Sequence, residues 1–160
     1  MITVLHKIKF LLLLIMSLAL SVGVRADETY LQATCAMDFP EAMAHLQDSI
    51  QDQEYTVSRI QHVDKGLIER GYETEKYKVV FFGKPNQMAK VASNYPSLIP
   101  FVPLNITISQ EGGRATVSTL APKQFSTLGI PADAEPLISH WQRDVEAIVR
   151  RYSTCQPDVF

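Results

Sequence analysis

Local catalytic signatures are absent from this 160-residue sequence. It has no His-Glu-x-x-His pair, no Gly-x-Ser-x-Gly elbow, no glycine-rich phosphate loop and no Cys-x-x-Cys, so zinc peptidase, serine hydrolase, nucleotide-binding and dithiol redox chemistry are not signalled. Basic clusters are absent too. Lysine and arginine total 15 against 17 acids and are dispersed, which argues against nucleic acid and anionic membrane surfaces as partners. Long apolar runs are also missing. The longest, Phe10 to Val24, is about 15 residues, short of the roughly 20 that cross a bilayer.

That run has a different use. His6, Lys7 and Lys9 precede it, and Val24-Arg25-Ala26 follows the small-x-Ala pattern read by a signal peptidase, so residues 1–26 are expected to be a signal peptide cut before Asp27. Cys35 stands too far beyond the run to close a lipobox. Periplasmic or secreted release is expected, with no stable membrane insertion after cleavage. Residues 27–160 remain, enough for one domain with a real core. Cleavage removes three cations and no acid, so the formal net charge moves from −2 to −5. The only cysteines, Cys35 and Cys155, survive, and in an exported chain such a pair predicts a disulfide between the first strand and the end of the last helix.

Patterning supplies the elements. Thr29 to Met37 reads as a strand, and Asp38 caps a helix whose stripe is Phe39, Met43, Leu46 and Ile50. Tyr55 to Val63 predicts a strand with a bulge near Ser58-Arg59, because its apolar positions change parity. Asp64 is placed as cap of a short helical turn ending at Gly71. Val79 to Phe82 is apolar on both parities and predicts a central strand covered on two sides. A helix with stripe Met88, Val91, Ala92 and Tyr95 follows Pro85 and stops at Pro96. Val102, Leu104, Ile106 and Ile108 alternate with polar residues, and Glu111-Gly112-Gly113-Arg114 turns that strand into a hairpin with Ala115 to Leu120. After a loop from Pro122 to Pro131, Asp133 is expected to cap a last helix with the stripe Leu137, Trp141, Val145, Ile148 and Tyr152.

Taken together, His62-Val63-Asp64, then Phe82-Gly83-Lys84-Pro85 with a helix to Tyr95-Pro96, then Val102-Pro103-Leu104-Asn105 and a glycine-turned hairpin, resemble the DUF302 domain, also called the TT1751-like fold. The resemblance runs from about Phe39 to Phe125. It implies a single α+β domain, a two-layer sandwich with helices packed on a mixed, mostly antiparallel sheet, often as a homodimer. It implies no established reaction. Many relatives carry a His-Gly dipeptide in the loop before the last helix, where this chain reads Thr127-Leu128-Gly129-Ile130.

Three candidate sites emerge. His62 and Asp64, at a strand end and turn, could share a cleft in which an acid orients an imidazole; the plain alternative makes Asp64 a cap and His62 a surface residue. Lys84, Asn86 and Gln87, where a strand passes into a helix, could hold an anion or small ligand. Cys35, Met37, Met43 and His45 carry the soft donors a copper or haem carrier would need, although Cys35 is better used in the disulfide. His140 stands four residues before Asp144 at ordinary helix-surface spacing, and Asn105-Ile106-Thr107 is a glycosylation sequon inside a predicted strand. The sequence therefore predicts an exported, non-catalytic binding or accessory module for a small ligand or an envelope protein. No cofactor is expected. An enzyme using His62 and Asp64 is the first alternative, and a copper or haem carrier the second.

Overall fold

A computed structural model describes residues 29–155. The expected signal peptide lies outside the described residues. In chain order the elements are β1 (Tyr30–Cys35), α1 (Phe39–Gln51), β2 (Thr56–His62), α2 (Val63–Ile68), β3 (Tyr77–Gly83), α3 (Pro85–Asn94), β4 (Leu104–Glu111), β5 (Arg114–Leu120) and α4 (Glu135–Tyr152), with 3-10 turns at Pro96–Phe101, Pro122–Leu128 and Ala132–Ala134. The chain makes one α+β domain.

The five strands are ordered β1-β5-β4-β3-β2. Every pairing is antiparallel, so the sheet has no parallel pair among the described residues. Strands β2 to β5 form a meander, and β1 joins its β5 edge. The hairpin turns on Gly112 and Gly113, with φ of +54° and +77°, the left-handed backbone that a two-residue turn of this hand requires. A register shift between Val57 and Arg59 is the bulge that the parity change predicts.

Alternation divides the sheet into two faces. Leu31, Cys35, Val80, Phe82, Leu104, Ile106, Ile108, Ala115 and Val117 point into the core, where they meet Phe39, Met43, Leu46 and Ile50 of α1 and the whole α4 stripe. Tyr77, Val79, Phe81, Asn105, Thr107, Ser109, Thr116 and Ser118 occupy the opposite face, and none of them is buried. This corrects the expectation for β3: β4 is the middle strand, and only Val80 and Phe82 of β3 are enclosed. Both parities read apolar because the outer face of β3 carries Val79 and Phe81 as half-covered neighbours of Thr107 and Asn105.

Two caps also differ from expectation. Asp38 caps α1 as its spacing requires, with Oδ1 accepting from the Glu41 amide at 2.9 Å. Asp133, by contrast, makes no cap; a 3-10 turn precedes α4, and the Asp133 carbonyl accepts from the Tyr95 hydroxyl. Asp64 falls inside the first turn of α2, where its carboxylate accepts from the Lys65 amide. The α3 stripe is thinner than expected, with Val91 buried, Met88 and Tyr95 half-buried, and Ala92 exposed.

Cys35 and Cys155 are joined with their Cα atoms 6.0 Å apart, closing a sequence separation of 120. The bridge ties the end of β1 to the residues just beyond α4. Tyr152 anchors the same corner: its hydroxyl donates to the Ala115 carbonyl at 3.2 Å, and its own carbonyl accepts from His45 Nε2 at 3.1 Å.

Candidate functional site

The most concentrated polar chemistry in the fold lies on the helix side of the sheet, at the end where β2 begins and β3 stops. Lys84 follows Val80 and Phe82 on the buried parity of β3, which carries its side chain under the helices rather than into water. Asp144 belongs to the buried side of α4, three residues after Trp141 and four before Ile148. Tyr55 immediately precedes β2 and is almost completely enclosed.

These residues converge on one atom. Asp144 Oδ2 accepts from the Tyr55 hydroxyl at 2.8 Å and pairs with Lys84 Nζ at 3.4 Å and His140 Nε2 at 3.3 Å. Lys84 Nζ also stands 4.4 Å from the centre of the Tyr55 ring, a cation–π contact. Beside them Trp141 Nε1 donates to Gln87 Oε1 at 2.9 Å. A cavity of about 10 Å³, room for one water at most, is walled by Tyr55, Lys84, Gln87, Met88 and Trp141. An apolar groove of about 200 Å³ lies alongside it, lined by Thr56, Ser58, Gly83, Pro85, Met88 and Pro103. Gly83 and Met88 belong to both. A Cβ on Gly83 would come within 3.3 Å of Met88 Sδ, so glycine there keeps the partition narrow.

Tyrosine chemistry at this corner is fixed by burial. The Tyr55 hydroxyl is held far above the ordinary tyrosine range, first by burial, then by its bond to Asp144 and by that carboxylate's charge. Burial also pushes Tyr152 up to about 12. Below the ordinary value of 10.0 both states carry these protons, and stability is unaffected by them. Above it the unfolded chain loses protons that the folded chain keeps, so stability should fall as pH rises through the alkaline range. Ultraviolet titration is expected to show two tyrosines that ionise well above the ordinary value of 10.0, and ionisation of all tyrosines near pH 10 in folded protein would contradict this.

The sites expected from sequence are distributed differently. Lys84 is a member of the cluster. Asn86 is exposed and its Oδ1 accepts from the Gln87 amide at 2.8 Å, so it faces its own helix turn. His62 pairs with Lys78 at the other end of β2, whereas Thr56 pairs with Gly83, which puts His62 about 20 Å from Lys84 along the strands, with Asp64 two residues beyond it. His62 is exposed, Asp64 is buried, and no hydrogen bond joins the two among the described residues. Of the soft-donor set, Cys35 is committed to the disulfide, Met43 lies in the core and His45 bonds to Tyr152. No cluster of three or more His, Cys, Asp or Glu side chains suited to a metal occurs among the described residues. Sequence reasoning missed Tyr55 and placed Asp144 only as the i+4 partner of His140, a contact the structure has at 3.3 Å. The available signal was an acid placed within the apolar stripe of a helix.

An antiparallel sheet layered by helices on one side, with a terminal helix stapled to an edge strand, defines a small α+β domain of the open-faced sandwich class. Residues 31–151 match the family described as a domain of unknown function, DUF302, and the chain belongs to that family. It is similar to the crystal structure of an uncharacterized conserved protein DUF302 from Bacillus stearothermophilus, with 16% identity and a TM-score of 0.65, over 80% of this chain and 98% of that one. At that identity the likeness shows a shared fold. No curated protein matches the sequence.

Proposed function

We infer that this protein is an exported binding module that holds a small, partly apolar ligand at the β2/β3 end of its sheet. The observation that carries this reading is the position of Met88, whose side chain lines both the apolar groove and the small cavity beneath the Lys84–Asp144 pair. Methionine is unbranched and readily repacked. A rotation of its side chain joins the two spaces into one site with an apolar wall and a few convergent polar groups, the general make-up of small-molecule sites. Tyr55 retains its proton, and Lys84 and His140 are both turned to the same carboxylate oxygen. Hydrogen-bonding groups converging in this way can orient a ligand. The cation-flanked apolar N-terminus and the Cys35–Cys155 pair support a periplasmic or secreted location.

Fragment screening of the purified exported protein by 1H–15N NMR tests the site. Bound fragments are expected to shift Gly83, Met88 and the Trp141 indole N–H together. A screen with no shifts at these groups, or with shifts confined to another face, overturns the reading. Fractionation with N-terminal sequencing tests export, with Asp27 expected as the first residue outside the cytoplasm; uncleaved chain retained inside overturns it.

A further inference from the structure

Strand alternation places Lys76, Lys78, Val80, Phe82 and Lys84 on the helix side of β3 and its lead-in. Val80 and Phe82 are core, and Lys84 is paired with Asp144. The charge at the other end of the row has no such partner. Lys78 Nζ stands 5.0 Å and Lys76 Nζ 5.8 Å from the centre of the buried Phe39 ring, so two ammonium groups share one aromatic side chain. Asp38, Glu41 and Glu75 are the acids closest to these groups in sequence, and none of them forms an ion pair with either lysine among the described residues. The Asp38 carboxylate is instead occupied by the Glu41 amide. Two like charges gathered without a counter-charge leave a place for an anion.

Other polar side chains border the same place. His62 is the direct cross-strand partner of Lys78, and directly opposed residues project from one side of a sheet with Cβ atoms about 5 Å apart. Beside Lys76, the Gln110 amide N–H donates to the Lys76 carbonyl at 3.0 Å, while its side-chain amide makes only a long contact of 3.4 Å to the Met37 carbonyl. Lys76 and Gln110 also line a groove of about 250 Å³, together with Ser109 and the exposed carboxylates of Glu75 and Glu111. Donors that suit an oxyanion therefore adjoin acceptors that suit hydroxyl groups.

We propose that this corner binds a small hydroxylated phosphate monoester of the glycerol phosphate or sugar phosphate class. Lys76, Lys78 and His62 hold the phosphate oxygens, and Glu75, Ser109 and Glu111 take the hydroxyl groups in the groove. The two carboxylates disfavour a ligand that carries negative charge along its whole length, which selects a monoester over a polyanion. The site is independent of the groove beside Met88, which lies at the opposite end of β2 and β3.

Titration of the purified exported protein with glycerol phosphate at fixed ionic strength, followed by 1H–15N NMR, tests the proposal. Saturable shifts are expected at Lys76, Lys78, His62 and the Gln110 side chain, and inorganic phosphate should bind several-fold more weakly because it leaves the groove unfilled. Lys78→Met keeps an apolar stem over Phe39 while removing the ammonium, and should weaken binding roughly tenfold, the worth of one charge-assisted hydrogen bond. Adding Lys76→Met should abolish saturable binding. Lys90→Met, which removes an exposed lysine of α3, should leave it unchanged. Melting curves verify that each variant is folded. Absence of saturable shifts at these groups, undiminished binding by the folded double variant, an equal loss in Lys90→Met, or equal affinity for inorganic phosphate would overturn the proposal. So would binding to vesicles of anionic phospholipid without binding to glycerol phosphate.

Discussion

Replacing Cys35 and Cys155 together by alanine should lower the unfolding free energy by roughly 4–5 kcal/mol, because the bridge closes a loop of 120 residues whose entropy is otherwise released on unfolding. In a domain of this size that corresponds to a melting temperature roughly 10–20 °C lower. The effect is expected to be large because of where the bridge sits. Among the described residues β1 is bonded to a strand on one side only, and the bridge fastens that edge to the residues just beyond the core-packed α4. Hydrogen exchange should accordingly show β1 amides opening first in the variant, while the β2 to β5 meander stays protected. Circular dichroism melts and urea titration of the two proteins read the stability change directly. A difference of about 1 kcal/mol or less would show that Tyr152 and the α4 stripe hold this corner without the bridge.

Elements governed by short-range chemistry were readable from sequence. The Asp38 cap, the bulge after Val57, the Gly112-Gly113 hairpin and the α4 stripe each depend on residues within a few positions of one another, and each is present in the structure. The two-sided reading of β3 failed for a definable reason: apolar residues on both parities describe a strand, but its place in the sheet order depends on pairings that periodicity does not encode. The cluster was illegible on the same grounds. Tyr55 and Asp144 are 89 residues apart, and Lys84 and Asp144 are 60 apart, so only the tertiary fold brings them to one oxygen. His62 and Asp64 were attractive because they are close in sequence, yet nearness in sequence at a strand end does not aim two side chains at each other.

Removal of the carboxylate at the centre of the cluster should be the most damaging single polar change in the domain. Asp144→Ala leaves the Lys84 ammonium, only 16% exposed, without its counter-charge, and leaves the enclosed Tyr55 hydroxyl without an acceptor. Leaving buried donors unpaired in this way costs roughly 2–4 kcal/mol. Asp144→Asn keeps an acceptor for Tyr55 and should cost about half as much. Lys84→Met removes the cation while keeping an apolar stem of similar length, and should cost about 1 kcal/mol. Added to Asp144→Ala, it should partly restore stability, since the double variant no longer holds an uncompensated charge; a double-mutant cycle by urea denaturation measures that coupling. Tyrosine titration gives a second readout that a purely packing role for Asp144 would not move. Without Asp144, Tyr55 loses its acceptor and the neighbouring negative charge but keeps its burial, so its ionisation should move down toward the ordinary range and remain above it. If Asp144→Ala is tolerated within about 0.5 kcal/mol, or the Tyr55 titration is unchanged, Asp144 does not organise this corner of the fold.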